Sequence, residues 1–129
     1  MKSADAIYFF VLFLSIVLFS FRTEAAKAVT EDWKYVASNE EGDRIFYDSS
    51  SVIPFSENAI QVWVKKLGHD GSAIKILEEI NCSYVIARER QVVIERQGKS
   101  APLPPRPRSN WQAMELNPMM KELHRILCN

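Results

Sequence analysis

The hydrophobic positions along this chain change their period twice. From Ile7 to Phe21 (IYFFVLFLSIVLFSF) they form one block interrupted only by serines. Between Trp33 and Arg96 apolar residues recur mostly at every second position in short runs, the period of strands. In the last stretch, Met119, Met120, Leu123, Ile126 and Leu127 lie on one stripe of an amphipathic helix.

The middle region divides at its turn residues. Trp33–Ser38 predicts a first strand, Asn39–Asp43 a polar turn centred on a glycine, and Arg44–Asp48 a second strand that closes a hairpin. Ser49-Ser50-Ser51 and Pro54 break the pattern. Ala59–Lys66 is the clearest strand, with Ile60, Val62 and Val64 on one face and Gln61, Trp63 and Lys65 on the other. Gly68–Gly71 predicts a loop, and Ala73–Glu79 a short helix carried by Ile74, Leu77 and Glu78, becoming extended at Ile80–Cys82. Tyr84–Arg88 and Gln91–Arg96 predict one or two further strands ending at Gly98. Lys99–Arg108 holds four prolines and predicts an extended surface crossing. Asn117 then caps a helix that starts at Pro118, places His124 and Arg125 in its last turn, and ends at Cys128. Strands followed by a terminal helix predict an α+β domain, an antiparallel sheet with the helix on one face.

The first apolar block reads as a signal segment, residues 1–26, ahead of a single domain, 27–129. It is shorter than the roughly 20 apolar residues of a membrane span, and small residues follow it, with cleavage fitting after Ala25, Ala26 or Ala28. Membrane attachment is expected only if that segment stays uncleaved. The first 26 residues take Lys2, Arg22, Asp5 and Glu24 with them, so 14 basic and 14 acidic side chains remain. A neutral domain without a basic stripe excludes nucleic acid as the expected partner. Cys82 and Cys128 are the only cysteines, and in an exported chain they predict one disulfide, which would pin the last helix to the sheet.

Candidate chemistry changes this picture little. Cys82, Cys128, His69 and His124 lack the close spacing of a zinc site, and no nucleophile elbow, phosphate loop or dinucleotide fingerprint occurs. Ser49-Ser50-Ser51 predicts a turn rather than a nucleophile, and His69, between glycines, a solvated loop residue rather than a general base. Glu78 and Glu79 are paired in sequence, but neighbours on a strand point to opposite faces. Neither an enzymatic activity nor a cofactor or metal is therefore expected. Pro102-Leu-Pro-Pro-Arg-Pro107 has the form of a polyproline ligand and is expected to act as a stiff connector. Trp33, Trp63 and Trp111 are expected in the core. Any of them exposed on the uncovered sheet face would be the best binding anchor.

Several landmarks occur together in a recognisable order. A signal segment precedes Trp33-Lys-Tyr-Val36; Tyr47-Asp-Ser-Ser50 and Gln61-Val-Trp-Val-Lys65 follow, then Glu79-Ile-Asn-Cys82, a lone Trp111 and a Pro118-started helix ending in Leu127-Cys128. In these features the chain resembles the bacterial surface-adhesin protein E family, over nearly all of residues 27–129. The resemblance implies about six antiparallel strands with the C-terminal helix tied to the concave face by a disulfide at the positions of Cys82 and Cys128. It also implies a small exported bacterial protein. The chain lacks the lipidation cysteine of the adhesin, so host-binding residues are not carried over. The resulting expectation is an exported, non-enzymatic binding module, in the periplasm or at the cell surface. It would meet a protein partner through the sheet face around Trp63, Gln61 and Lys65, with a homodimer left open. The competing expectation is a structural or assembly subunit of a cell-envelope complex.

Overall fold

The computed structural model describes residues 30–104 and 110–129; the first apolar block, the cleavage positions and residues 105–109 of the proline segment lie outside the described residues. Alternating residues build one antiparallel sheet from β1 (Trp33–Ser38), β2 (Arg44–Asp48), β3 (Ile53–Ser56), β4 (Ala59–Leu67), β5 (Ala73–Asn81), β6 (Ile86–Arg96), β7 (Lys99–Pro102) and β8 (Gln112–Ala113). Its main path, β1-β2-β4-β5-β6-β7, has the six strands expected. The short β3 and β8 pair alongside β4 and β6. One helix, α1 (Pro118–Leu127), follows.

The hairpin, β4 and α1 lie where the pattern predicted them. Asn117 Oδ1 accepts from the backbone N–H groups of Met119 and Met120, which fixes the start of α1. The Ala73–Glu79 segment does not: it is the first seven residues of a nine-residue strand. Ile74, Ile76 and Ile80 follow period two, and the inner position between them is held by Glu78, which hides the alternation. β6 is a single strand. Its pairing with β5 slips by one residue at Arg90, between the pairs Leu77↔Gln91 and Glu78↔Glu89, forming a bulge. The proline stretch opens as an edge strand, β7, joined to β6 through Gln97 (φ 50°) and Gly98 (φ 75°). Positive φ at both central residues is the geometry that suits a tight hairpin turn.

The inner face of the sheet carries the core. Val36, Ile45, Val62, Val64, Ile80 and Ala87 pack there with Met114, Met120 and Leu123. The helix stripe meets this face as predicted, with Leu123 fully buried and Met119, Ile126 and Leu127 packed around it. Cys128 is bonded to Cys82, with Cα atoms 5.3 Å apart. One turn earlier, His124 Nε2–H donates to the carbonyl of Asn81 at 3.1 Å. His124 thus has a specific acceptor beside Cys82, in addition to its favourable place near the helix C-terminus. Chain-entropy arguments assign a loop of this size about 4 kcal/mol, so the covalent tie is a major stabilising term for a small domain.

Candidate functional site

With α1 on the inner face, the outer face holds every other side chain of the central strands, and register sorts them into rows. One row crosses all six main strands: Tyr35, Phe46, Lys65, Lys75, Val93 and Pro102. The next comprises Trp63, Leu77 and Gln91. The third runs Ile53, Gln61, Glu79 and Arg88. The three residues singled out on β4, Gln61, Trp63 and Lys65, therefore each belong to a different row, and all three are half-buried.

Lys65 is held by rings. Its Nζ lies 4.3 Å from the centroid of Trp33 and 5.9 Å from that of Phe46. Tyr35 meets Phe46 edge-on, and the Arg44 guanidinium stands 5.9 Å over the same Phe46 ring. Cation–π attraction of this kind is worth about 0.5–1 kcal/mol at exposed sites. Among the described residues, neither Lys65 nor Arg44 has a carboxylate within salt-bridge distance. Lys75 differs. It also lies over Trp33, at 5.4 Å, but it binds Glu95 at 2.8 Å and Glu31 at 3.2 Å. Burial works against its charge, and the bonds to Glu95 and Glu31 outweigh that and raise its pKa. Glu31 in turn accepts from the Trp33 indole N–H, and that bond, with those from Lys75, lowers its pKa.

The row through Gln61 is organised around a buried ion pair. Arg88 binds Glu79 with two hydrogen bonds, Nε to Oε2 at 3.1 Å and a terminal nitrogen to Oε1 at 3.0 Å. Glu79 is 2% exposed. The Arg88 guanidinium also stands over the Trp111 ring, 4.6 Å from its centroid. The β6 bulge adds Arg90, whose Nε is 3.8 Å from Glu79 Oε2 and whose side chain is 40% exposed. Two guanidinium groups thus share one carboxylate. All three tryptophans belong to this face instead of the core: Trp33 and Trp63 are half-buried, and Trp111 is 37% exposed. Their size suggested core positions, whereas the cations beside Trp33 and Trp111 and the period-two parity of Trp63 place them outside it.

The remaining sequence candidates are distributed elsewhere. Ser49–Ser51 form a 3-10 turn, as the sequence predicted, and their hydroxyls bond Asp32, Asp48 Oδ1 and the Asp48 carbonyl. Ser51 Oγ also accepts from the Trp63 N–H at 2.9 Å, so the turn supports the centre of the outer face. Burial works against the Asp48 charge, and bonds from Ser50 and the Asp32 N–H outweigh it, so its pKa is lowered. His69 is exposed, and its ring bonds Asp43 Oδ1 at 3.0 Å, linking the β4–β5 turn to the β1–β2 turn. That partner raises the His69 pKa, and bonds from His69 and Asn39 bring Asp43 down to about 2.

Glu78 faces inward, 3% exposed, across from Val62 on β4 and Glu89 on β6. Desolvation pushes its pKa up to about 7; Lys66 opposes this and Glu89 adds to it. Glu78 and Glu79 point to opposite faces, as their adjacency predicted, and the burial of both was not visible in the sequence. Two hollows flank α1, one of about 650 Å³ between the β1–β2 turn and Asn117–Met119, the other of about 330 Å³ beside His124 and Arg125. Neither is lined by the outer rows. No group of three or more acidic, histidine or cysteine side chains suited to a metal occurs among the described residues. Set beside known proteins, the chain matches no protein-family model, no curated protein and no solved structure.

Proposed function

We propose that this protein is an exported, non-enzymatic binding module, of the surface-adhesin protein E kind, which meets a protein partner through the outer face of its sheet. The observation that carries this reading is the row from Tyr35 to Pro102, where Lys65 stands against aromatic rings with no carboxylate within salt-bridge distance among the described residues. Aromatic and cationic side chains on a rigid, half-buried platform are the composition from which interface hot spots are made. The helix and its disulfide support the reading by occupying the opposite face. A disulfide is also at home in an oxidising compartment such as a periplasm or the cell exterior.

The competing reading, a structural or assembly subunit, rests on the sheet edges, since β7 is exposed throughout. One experiment separates the two. A photo-cross-linking amino acid is placed at Gln91 on the outer face, at Ser100 on β7 and at Lys121 on α1, and the protein is irradiated in the cells that make it. The binding reading predicts a discrete adduct from position 91. Adducts from position 100 alone would support the assembly subunit, and adducts from position 121 alone would overturn both.

A further inference from the structure

On the outer face the negative charges are already in use. Glu31 and Glu95 hold Lys75, and Glu79 holds Arg88 with Arg90 at its rim. The cations left over are Lys65 and Arg44, with no carboxylate in reach among the described residues, and the outer part of Arg90. The whole chain carries 16 basic and 16 acidic side chains, so the surplus on this face is a local one. Lys65 has further constraints. Its ammonium rests against Trp33 and Phe46, so less rotamer freedom is lost when an anion docks, and its N–H groups are not consumed by a ring as they would be by a carboxylate.

Building on the outer-face reading, we infer that the partner presents an extended acidic segment, with one carboxylate for Lys65, another for Arg90, and an apolar side chain between them against Trp63 and Leu77. Strand spacing and rise place Lys65 and Arg90 on the order of 10–15 Å apart, which an extended chain spans in about three to five residues. Trp63 and Leu77 lie in the row between, half-buried and uncharged. The arrangement favours a peptide over other anions. Recognition of anionic lipid takes clusters of roughly four to eight basic residues, and nucleic acid takes a basic stripe along the backbone. Here the cations are few, separated, and interleaved with aromatic and apolar side chains.

The test is a selection on the purified protein from a displayed library of random short peptides, followed by binding of the selected peptides to variants. Selected sequences should be enriched in Asp and Glu around an apolar residue. Their affinity should fall by about tenfold or more in Lys65→Glu and in Arg90→Glu and should fall with added salt. Lys65→Glu gives up the ring contacts of Lys65 and Arg90→Glu the long contact to Glu79, so both variants are first shown to melt well above the assay temperature. Peptides without acid enrichment that still lose affinity in Trp63→Ala would overturn this inference and leave the outer-face reading standing. Peptides indifferent to every outer-face substitution would overturn both. Binding to phosphatidylserine vesicles or a single-stranded oligonucleotide that is tighter than to any selected peptide, and is lost in Lys65→Glu, would transfer the cations to a membrane or nucleic-acid partner and overturn the peptide.

Discussion

Glu78 and Glu79 are adjacent on β5 and both are buried, yet the two faces of the sheet treat them in opposite ways. On the outer face Glu79 receives both bonds of the Arg88 fork, with Arg90 close by, and Trp111 covers the guanidinium. On the inner face Glu78 lies across from Val62 and a second carboxyl, Glu89, and desolvation pushes its pKa up to about 7. Two carboxyls buried to the same degree thus have opposite surroundings, one bonded to a guanidinium fork and the other desolvated with no such fork. The same contrast separates the faces as wholes. The inner one is apolar and closed by a helix, and charge on it is a cost. On the outer one, charge is fixed in place by rings and counter-charges, with a surplus of cations at the surface.

The sharpest way to break the contrast is Arg88→Ala. It leaves Glu79 buried without its bidentate partner, and stability should fall by about 3–5 kcal/mol in chemical denaturation. The double replacement Arg88→Met with Glu79→Leu should recover most of that loss. Next, Cys82→Ser with Cys128→Ser should cost about 4 kcal/mol at most and should loosen α1 first, seen as faster amide exchange over residues 118–127. Third, Glu78→Gln tests the inner face through pH. The folded pKa lies above the ordinary 4.5, so the folded chain holds an extra proton between about pH 4.5 and 7. Stability falls as pH rises through that window and is free of the penalty below it. The substitution should therefore raise stability by on the order of 3 kcal/mol at pH 8, with little change at pH 4.5. Equal effects at both pH values would place the origin of the penalty elsewhere. Smallest, Lys65→Ala should cost only about 0.5–1 kcal/mol of stability, the worth of its ring contacts, so that its effect on binding is separable from folding.

The strands and helix that follow one clean period were readable in advance. β4 showed Ile60, Val62 and Val64 against Gln61, Trp63 and Lys65, and the Asn117–Pro118 start marked α1. β5 was not, because Glu78 occupies an inward position where an apolar residue would have completed the alternation. β7 was hidden in a proline stretch. Its pairing depends on a turn through Gln97, and a positive φ at glutamine has no sequence signal. The site divides in the same way. Membership of the outer face follows from period two within β4, whereas the neighbours that give Lys65 and Gln61 their meaning follow from register. Trp33 reaches Lys65 from β1, and the bulge that adds Arg90 is one residue of slippage between β5 and β6. Neither can be counted along a single strand.

On the proposed function, the outer face of the sheet is the one that meets a partner. The most direct measurement is an amide chemical-shift map of the protein titrated with a selected acidic peptide. Perturbations are predicted at Gln61, Trp63, Lys65, Lys75 and Gln91, with α1 unmoved. A map centred on residues 118–127, with those five positions silent, would contradict it.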